Sequence, residues 1–179
     1  MKLIESETYK NLAKAYAGEC QAQIRYKFIE YGARNEGYKT MAEMIDSLVF
    51  NEFNHARMFY TKIQDASPDV IKNIDINAGY PFKEKWNLLE NLKLAAEDEK
   101  LEATKIYPEF MRTAEKEGFK DIAELFKDII QVETCHTKLL TQLYEQLKNK
   151  TLYKKPTKVK WNCADCGYEA EGKEAWDIC

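Results

Sequence analysis

The chain has 179 residues, 32% of them charged, and a net charge of −3, which provides one core-bearing domain with a small appendage and gives no reason to expect nucleic acid as a partner. No apolar run approaches the length of a membrane span and the N-terminal MKLIESETYKNL lacks a signal-peptide pattern, so a cytoplasmic protein without a membrane partner is expected. Seven glycines and four prolines are few, which favours long helices over a β-rich fold.

Apolar residues recur at helical spacing through residues 6–34 (Tyr9, Leu12, Ala13, Tyr16, Ile24, Phe28, Tyr31) and predict a first helix. After a break at NEGY a second periodic run covers about 38–65 and ends at Ser67-Pro68, where proline and the residue before it disfavour continuation. A third run extends from about 84 to 116, and after KEGF a fourth continues to about 149. Pro108, inside the third run, removes one backbone donor and predicts a local kink or bulge.

The second and fourth runs are copies. EGYKTMAEMIDSLVFNEFNH (36–55) overlays EGFKDIAELFKDIIQVETCH (117–136) at a constant offset of 81, with seven of 20 positions identical, including Glu52/133 and His55/136. This is an internal duplication of a helical hairpin. Between the halves, the 17 residues SPDVIKNIDINAGYPFK reach roughly 56 Å when extended, more than the length of a 28-residue helix at about 42 Å. Such a linker returns along the whole bundle. The expected fold is all-α, a four-helix bundle with one long crossover as in ferritin-like folds.

Both histidines of the chain follow a glutamate by three positions, Glu52/His55 and Glu133/His136, a spacing that aims two donors at one spot from one helix face. If the duplication is also a two-fold in space, the first and third helices supply carboxylates at matching heights. Glu19 offset by 80, from one residue more or less in a turn, gives Glu99, and Glu102 lies three further on, where the first helix has only Ala22. The candidate set is Glu19, Glu52, His55, Glu99, Glu102, Glu133 and His136. Five carboxylates inside a helical core do not remain ionised without strong cations, and mixed carboxylate and imidazole donors suit iron or manganese in a dinuclear site. Glu30, Glu90 and Glu97 read as solvated charges, and Cys20 and Cys135, one position off the ligand face, as small core residues.

At these residues the sequence resembles the rubrerythrin family. AGECQAQIRY, NEFNH, AAEDEKLEATKIYPEF and VETCH are similar to that family's ligand motifs, and the tail WNCADCGYEAEGKEAWDIC to its rubredoxin domain. The resemblance spans essentially the whole chain. It implies two non-haem iron ions and a peroxidase that reduces hydrogen peroxide to water in the oxidative-stress defence of an anaerobe. It further implies that Glu52 and Glu133 bridge the irons, that Glu19 is terminal to one and Glu99 and His136 to the other, and that Glu102 and His55 alternate on the first iron during catalysis. Harder ferric iron favours the carboxylate, and ferrous iron accepts the imidazole. Tyr26 and Tyr107 resemble tyrosines that hold ligand carboxylates by hydrogen bonds. A head-to-tail homodimer is implied, with electrons from a rubredoxin or an NAD(P)H-dependent reductase. The bundle alone leaves open a ferritin-like ferroxidase or iron-handling protein, but Glu102 and the cysteine tail argue against it, since storage requires neither.

The remaining segments divide as a bundle over 1–149, a charged linker over 150–158 and a rubredoxin-like unit over 159–179. Five cysteines are an odd number, and the clustering of Cys163, Cys166 and Cys179 suggests metal thiolates before disulfides. Cys-x-x-Cys-Gly-Tyr is half of an iron–tetrathiolate site, and three thiolates stand where tetrahedral ligation needs four. The expectation is an incomplete second knuckle cut at Cys179, a further iron only where that tail is complete, and impaired delivery of external electrons in this form.

Overall fold

The computed structural model describes residues 1–77 and 87–176. After a single 3₁₀ turn, Leu3–Glu5, four long helical segments follow: α1 (Glu7–Asn35), α2 (Lys39–Gln64), α3 (Leu88–Leu101) continuing through a π turn (Glu102–Ile106) into α4 (Tyr107–Glu117), and α5 (Lys120–Lys148). Backbone angles stay right-handed helical at both junctions of the π turn, so α3 and α4 form one helix with an extra residue wound into it. The result is the expected ferritin-like four-helix bundle.

The helix ends follow local chemistry. Ser6 caps α1 by accepting from the Tyr9 amide, and Asn87 caps α3 by accepting from the Glu90 amide at 2.8 Å. A second cap for α1 comes from the far end of α4. The Glu117 carboxylate accepts from the Thr8 amide at 2.8 Å and the Glu7 amide at 3.1 Å, and from the Thr8 hydroxyl. The two hairpin turns are copies as well: Gly37 (φ 84°) and Gly118 (φ 88°) occupy the same place in each repeat and take the left-handed conformation that a Cβ disfavours.

Side-chain pairs set the helix directions. Lys27 meets Asp46 and Glu19 approaches His55, so α1 and α2 are antiparallel. Arg25 pairs with Asp98 while Thr8 meets Glu117, so α3–α4 is antiparallel to α1 and therefore parallel to α2. Parallel neighbours demand the long crossover. Its first part is described to residue 77; the remaining linker residues and the expected helix start near 84 lie outside the described residues.

The core forms two apolar clusters, one around Tyr26, Met41, Ile45 and Leu92 and the other around Leu12, Phe59, Tyr107 and Phe126. Burying each large side chain contributes about 1.5–3 kcal/mol. Two expectations fail here, the first being Glu30, read as a solvated charge but buried and paired with Arg34. Ile24, Phe28 and Tyr31 are 51%, 56% and 65% exposed, and α1 turns Ala15, Glu19, Ala22 and Tyr26 inward. Because α1 carries apolar residues on two faces and acids and small residues on the buried one, periodicity alone selected the wrong stripe over its second half.

The tail is a two-stranded antiparallel hairpin, β1 (Lys154–Asn162) and β2 (Glu169–Glu174), with Trp161 opposite Ala170. β1 begins inside the stretch read as linker, because Lys154 already pairs with Glu174. Between the strands, Cys163 donates its amide to the Tyr168 carbonyl and accepts from the Gly167 amide. Gly167 takes φ 75° to close this knuckle. The tail meets the bundle through Tyr38 and Tyr153, whose rings stack at 6.3 Å, and through an ion pair between Lys39 and Asp165.

Candidate metal centre

The Glu-x-x-His frames of α2 and α5 bring Glu52, His55, Glu133 and His136 together between the two apolar clusters, with Glu19 from α1 and Glu99 from α3 completing the layer. All six are 4% exposed or less. Their donor atoms fall into two quartets, Glu19–Glu52–His55–Glu133 and Glu52–Glu99–Glu133–His136, each with its atoms within 4.8 Å of one another. Glu52 and Glu133 belong to both quartets.

The donors converge on shared points more than they bond to each other. His55 Nδ1 lies 3.0 Å from Glu52 Oε2, 3.0 Å from Glu133 Oε1 and 3.4 Å from Glu19 Oε2. His136 Nδ1 lies 3.0 Å from Glu52 Oε1, 2.8 Å from Glu133 Oε2 and 3.7 Å from Glu99 Oε2. Despite this closeness, His136 Nδ1, Glu19 Oε2, Glu52 Oε1, Glu99 Oε2 and both oxygens of Glu133 have no hydrogen-bond partner. Buried polar atoms left this way are costly, and all of them belong to the two quartets. Two cations held by the quartets would satisfy every one.

The tyrosines complete the pattern. Tyr26 donates to Glu99 Oε1, and Tyr107 donates to Glu19 Oε1. Each of these carboxylates thus has one oxygen tied and one orphan facing its quartet, whereas both oxygens of Glu133 are orphans. The sequence reading passed over Asn51. Its carboxamide lies 3.2 Å from His136 Nε2; turned with its oxygen inward, it accepts the Nε2–H that ligation through Nδ1 requires. No repeat signal pointed to it, since its counterpart at an offset of 81 is Val132.

In the metal-free protein the charges neutralise one another. Burial pushes Glu19 and Glu99 well above the usual carboxylate range. Burial acts on Glu52 too, but the neighbouring imidazoles His136 and His55 bring it down to about 2, and Glu133 is lowered in the same way. Burial opposes protonation of His136, yet the oxygens of Glu133, Glu52 and Glu99 push it up to about 12, and His55 is raised likewise by Glu133, Glu19 and Glu52. The surrounding carboxylates thus favour the charged form of both imidazoles.

Glu102 stands apart. It is absent from both quartets, is only partly buried, and one of its carboxylate oxygens lies 3.8 Å from where a Cβ on Gly18 would stand. Burial first, then the charges of Glu133 and Glu52, raise it to about 8. In this arrangement His55, not Glu102, completes the quartet with Glu19. Of the cysteines, Cys20 is half-buried and Cys135 exposed, so the core reading fails for Cys135, which lies on the solvent side of α5. Cys163 is half-buried and Cys166 exposed in the knuckle, while Cys179 lies outside the described residues.

Fold and donor set define a four-helix-bundle protein of the carboxylate–histidine dinuclear class. The chain belongs to the rubrerythrin family, whose model matches residues 10–144. It is 37% identical over 170 residues to rubrerythrin of Clostridium perfringens, covering 95% of this chain and 86% of that one. In structure it is similar to nigerythrin in a mixed-valence state, with a TM-score of 0.68 and 26% identity over 96% of this chain and 80% of that one. The diiron bacterioferritin of Desulfovibrio desulfuricans shares the fold at a TM-score of 0.67 and 22% identity, over 80% of this chain and 81% of that one. The cluster fits a diiron site. Among the described residues, no helix is long and apolar enough to cross a membrane.

Proposed function

We propose that this chain is a cytoplasmic diiron peroxidase that reduces hydrogen peroxide to water in defence against oxidative stress. The observation that carries this reading is the pair of overlapping quartets sharing Glu52 and Glu133, with their orphaned donor atoms. When bound, two ferrous ions supply the two electrons that, with two protons, turn one hydrogen peroxide into two waters. Glu52 and Glu133, common to both quartets, would serve both ions, with Glu19 and His55 completing the donors at one position and Glu99 and His136 at the other. Tyr26 and Tyr107 restrain the terminal carboxylates, so that each presents a single oxygen.

His55 and Glu102 serve as alternative donors at the position of Glu19. Room for Glu102 beside Gly18 supports this exchange. Substituting Glu102 by Ala leaves ferrous iron bound and slows turnover; unchanged turnover would reject the exchange.

The rubredoxin-like unit of residues 159–179, joined by 150–158 to the bundle of 1–149, holds a thiolate iron through Cys163, Cys166 and Cys179 where a fourth ligand is available. Asp165, between two of these cysteines, pairs with Lys39, which stands 13 residues, or about 20 Å, along α2 from Glu52. The tail thus sits at the end of α2 remote from the quartets of its own chain, which supports a head-to-tail homodimer in which each tail serves its partner's bundle. The exposed Ile24, Phe28, Phe50 and Phe53 of α1 and α2 offer the apolar surface such a partner covers. The donor is a rubredoxin or an NAD(P)H-dependent reductase.

The runner-up is a ferroxidase. Addition of excess ferrous iron under dioxygen separates the two: a peroxidase stops at the iron bound in its sites, whereas a growing ferric core in a cage-sized assembly would replace this reading with iron storage.

A further inference from the structure

A groove of about 440 Å³ runs between α1 and the π turn with α4, lined by Asn11, Lys14, Gly18, Glu102, Tyr107 and Phe110 among others. Its inner end is the centre itself, since Glu102 lies against Gly18 there and Tyr107 bonds the Glu19 carboxylate. Asn11 stands two helical turns, about 12 Å, before Glu19 on α1. It is 4% exposed, it lines this groove, and among the described residues its carboxamide has no hydrogen-bond partner. Its polar atoms are not sealed in the interior, so the carboxamide opens onto the groove, where a solute can reach it.

We propose that this groove is a binding path for a small hydrogen-bonding molecule, hydrogen peroxide under the function proposed above, and that the Asn11 carboxamide is its docking group. A carboxamide offers two N–H donors and a carbonyl acceptor. Peroxide offers two O–H donors and lone pairs on both oxygens, so one amide engages it as donor and acceptor at once. Dioxygen has no proton to give and accepts hydrogen bonds poorly. Asn11 therefore discriminates between the two oxidants before either reaches the centre. Gly18 keeps the inner end open, because any side chain longer than a methyl group enters the space of the Glu102 carboxylate, where a Cβ alone already lies at 3.8 Å.

Two measurements test this. In zinc-loaded protein, where the metal has no redox chemistry, hydrogen peroxide is titrated while the side-chain amide resonances of Asn11 are followed by NMR. Saturable movement of the Asn11 signals is expected, and signals that stay fixed while peroxide rises overturn the proposal. In iron-loaded protein, Asn11→Leu lowers the ratio of peroxide to dioxygen oxidation rates about tenfold, the factor for one lost hydrogen bond, and Asn11→Gln restores part of it. An unchanged ratio in Asn11→Leu also overturns it. A native protein with no preference for peroxide counts against the peroxidase reading, and the zinc titration then still decides whether Asn11 binds peroxide.

Discussion

Tyr26 and Tyr107 are 81 positions apart and each holds the carboxylate of the opposite half, Tyr26 bonding Glu99 and Tyr107 bonding Glu19. Those two glutamates, however, are only 80 apart. The extra residue lies in the π turn of Glu102–Ile106, where the Tyr107 amide reaches the Glu102 carbonyl five residues back. Pro108, with no amide of its own, follows directly and makes the looser turn less costly. The π turn thereby restores the two-fold relation between tyrosines and sets Glu102 where the first half has Ala22.

Removing either tyrosine hydroxyl leaves a terminal carboxylate free to rotate. Tyr26→Phe and Tyr107→Phe are each expected to keep the fold and to weaken ferrous binding by about 10- to 100-fold, to similar extents because each removes one hydrogen bond to a single carboxylate oxygen. A competition titration against a chelator of known affinity checks both. Affinity equal to the native value would show that packing alone positions Glu19 and Glu99.

Metal uptake displaces protons. Carboxylates around them raise His55 and His136 against the opposing effect of burial, and burial raises Glu19 and Glu99, so binding is expected to release protons and apparent affinity to rise with pH. Calorimetric titration of metal into apoprotein in buffers of different ionisation enthalpy measures the release, and a proton count near zero at neutral pH would contradict this charge state. The same linkage predicts that stripping the metal lowers the melting temperature.

Glu117 caps α1 from the end of α4, so Glu117→Gln is expected to cost about 1 kcal/mol in denaturant unfolding. Burial opposes its ionisation, but the Thr8 hydroxyl and the amides of Thr8 and Glu7 hold it below its ordinary value. Because the folded value is the lower one, the stabilisation is fully present above the ordinary glutamate pKa and is lost as pH falls through the lowered one. Native and variant stabilities therefore converge in acid; a gap that widens there would refute the cap.

Gly37→Ala and Gly118→Ala each force a Cβ into left-handed backbone and are expected to cost about 1–2 kcal/mol. The two turns share no partner, so the double variant loses the sum. Thermal or denaturant unfolding of the three variants shows whether it does.

Much of this was legible in the sequence because a duplication constrains more than composition does. The offset of 81 located both Glu-x-x-His frames, and the linker length set the bundle topology. The need for a one-residue shift was visible, but it was assigned to a turn, since backbone winding leaves no mark in side-chain pattern beyond Pro108. Asn51 was invisible for the opposite reason, being neither apolar, charged nor repeated, and Asn11, though matched by Asn91 at the offset of 80, is an uncharged amide with no ligand spacing to single it out. The exposed stripe at Ile24, Phe28 and Tyr31 misled because periodicity reports an apolar face without saying what covers it.

The central claim is tested most directly by anaerobic stopped-flow oxidation of the reduced, two-iron-loaded protein, with hydrogen peroxide and dioxygen compared at equal concentration. Much faster oxidation by peroxide, with one peroxide consumed for each pair of irons, is the predicted result. Faster oxidation by dioxygen, continuing as ferrous iron is added in excess, would contradict it and favour the ferroxidase.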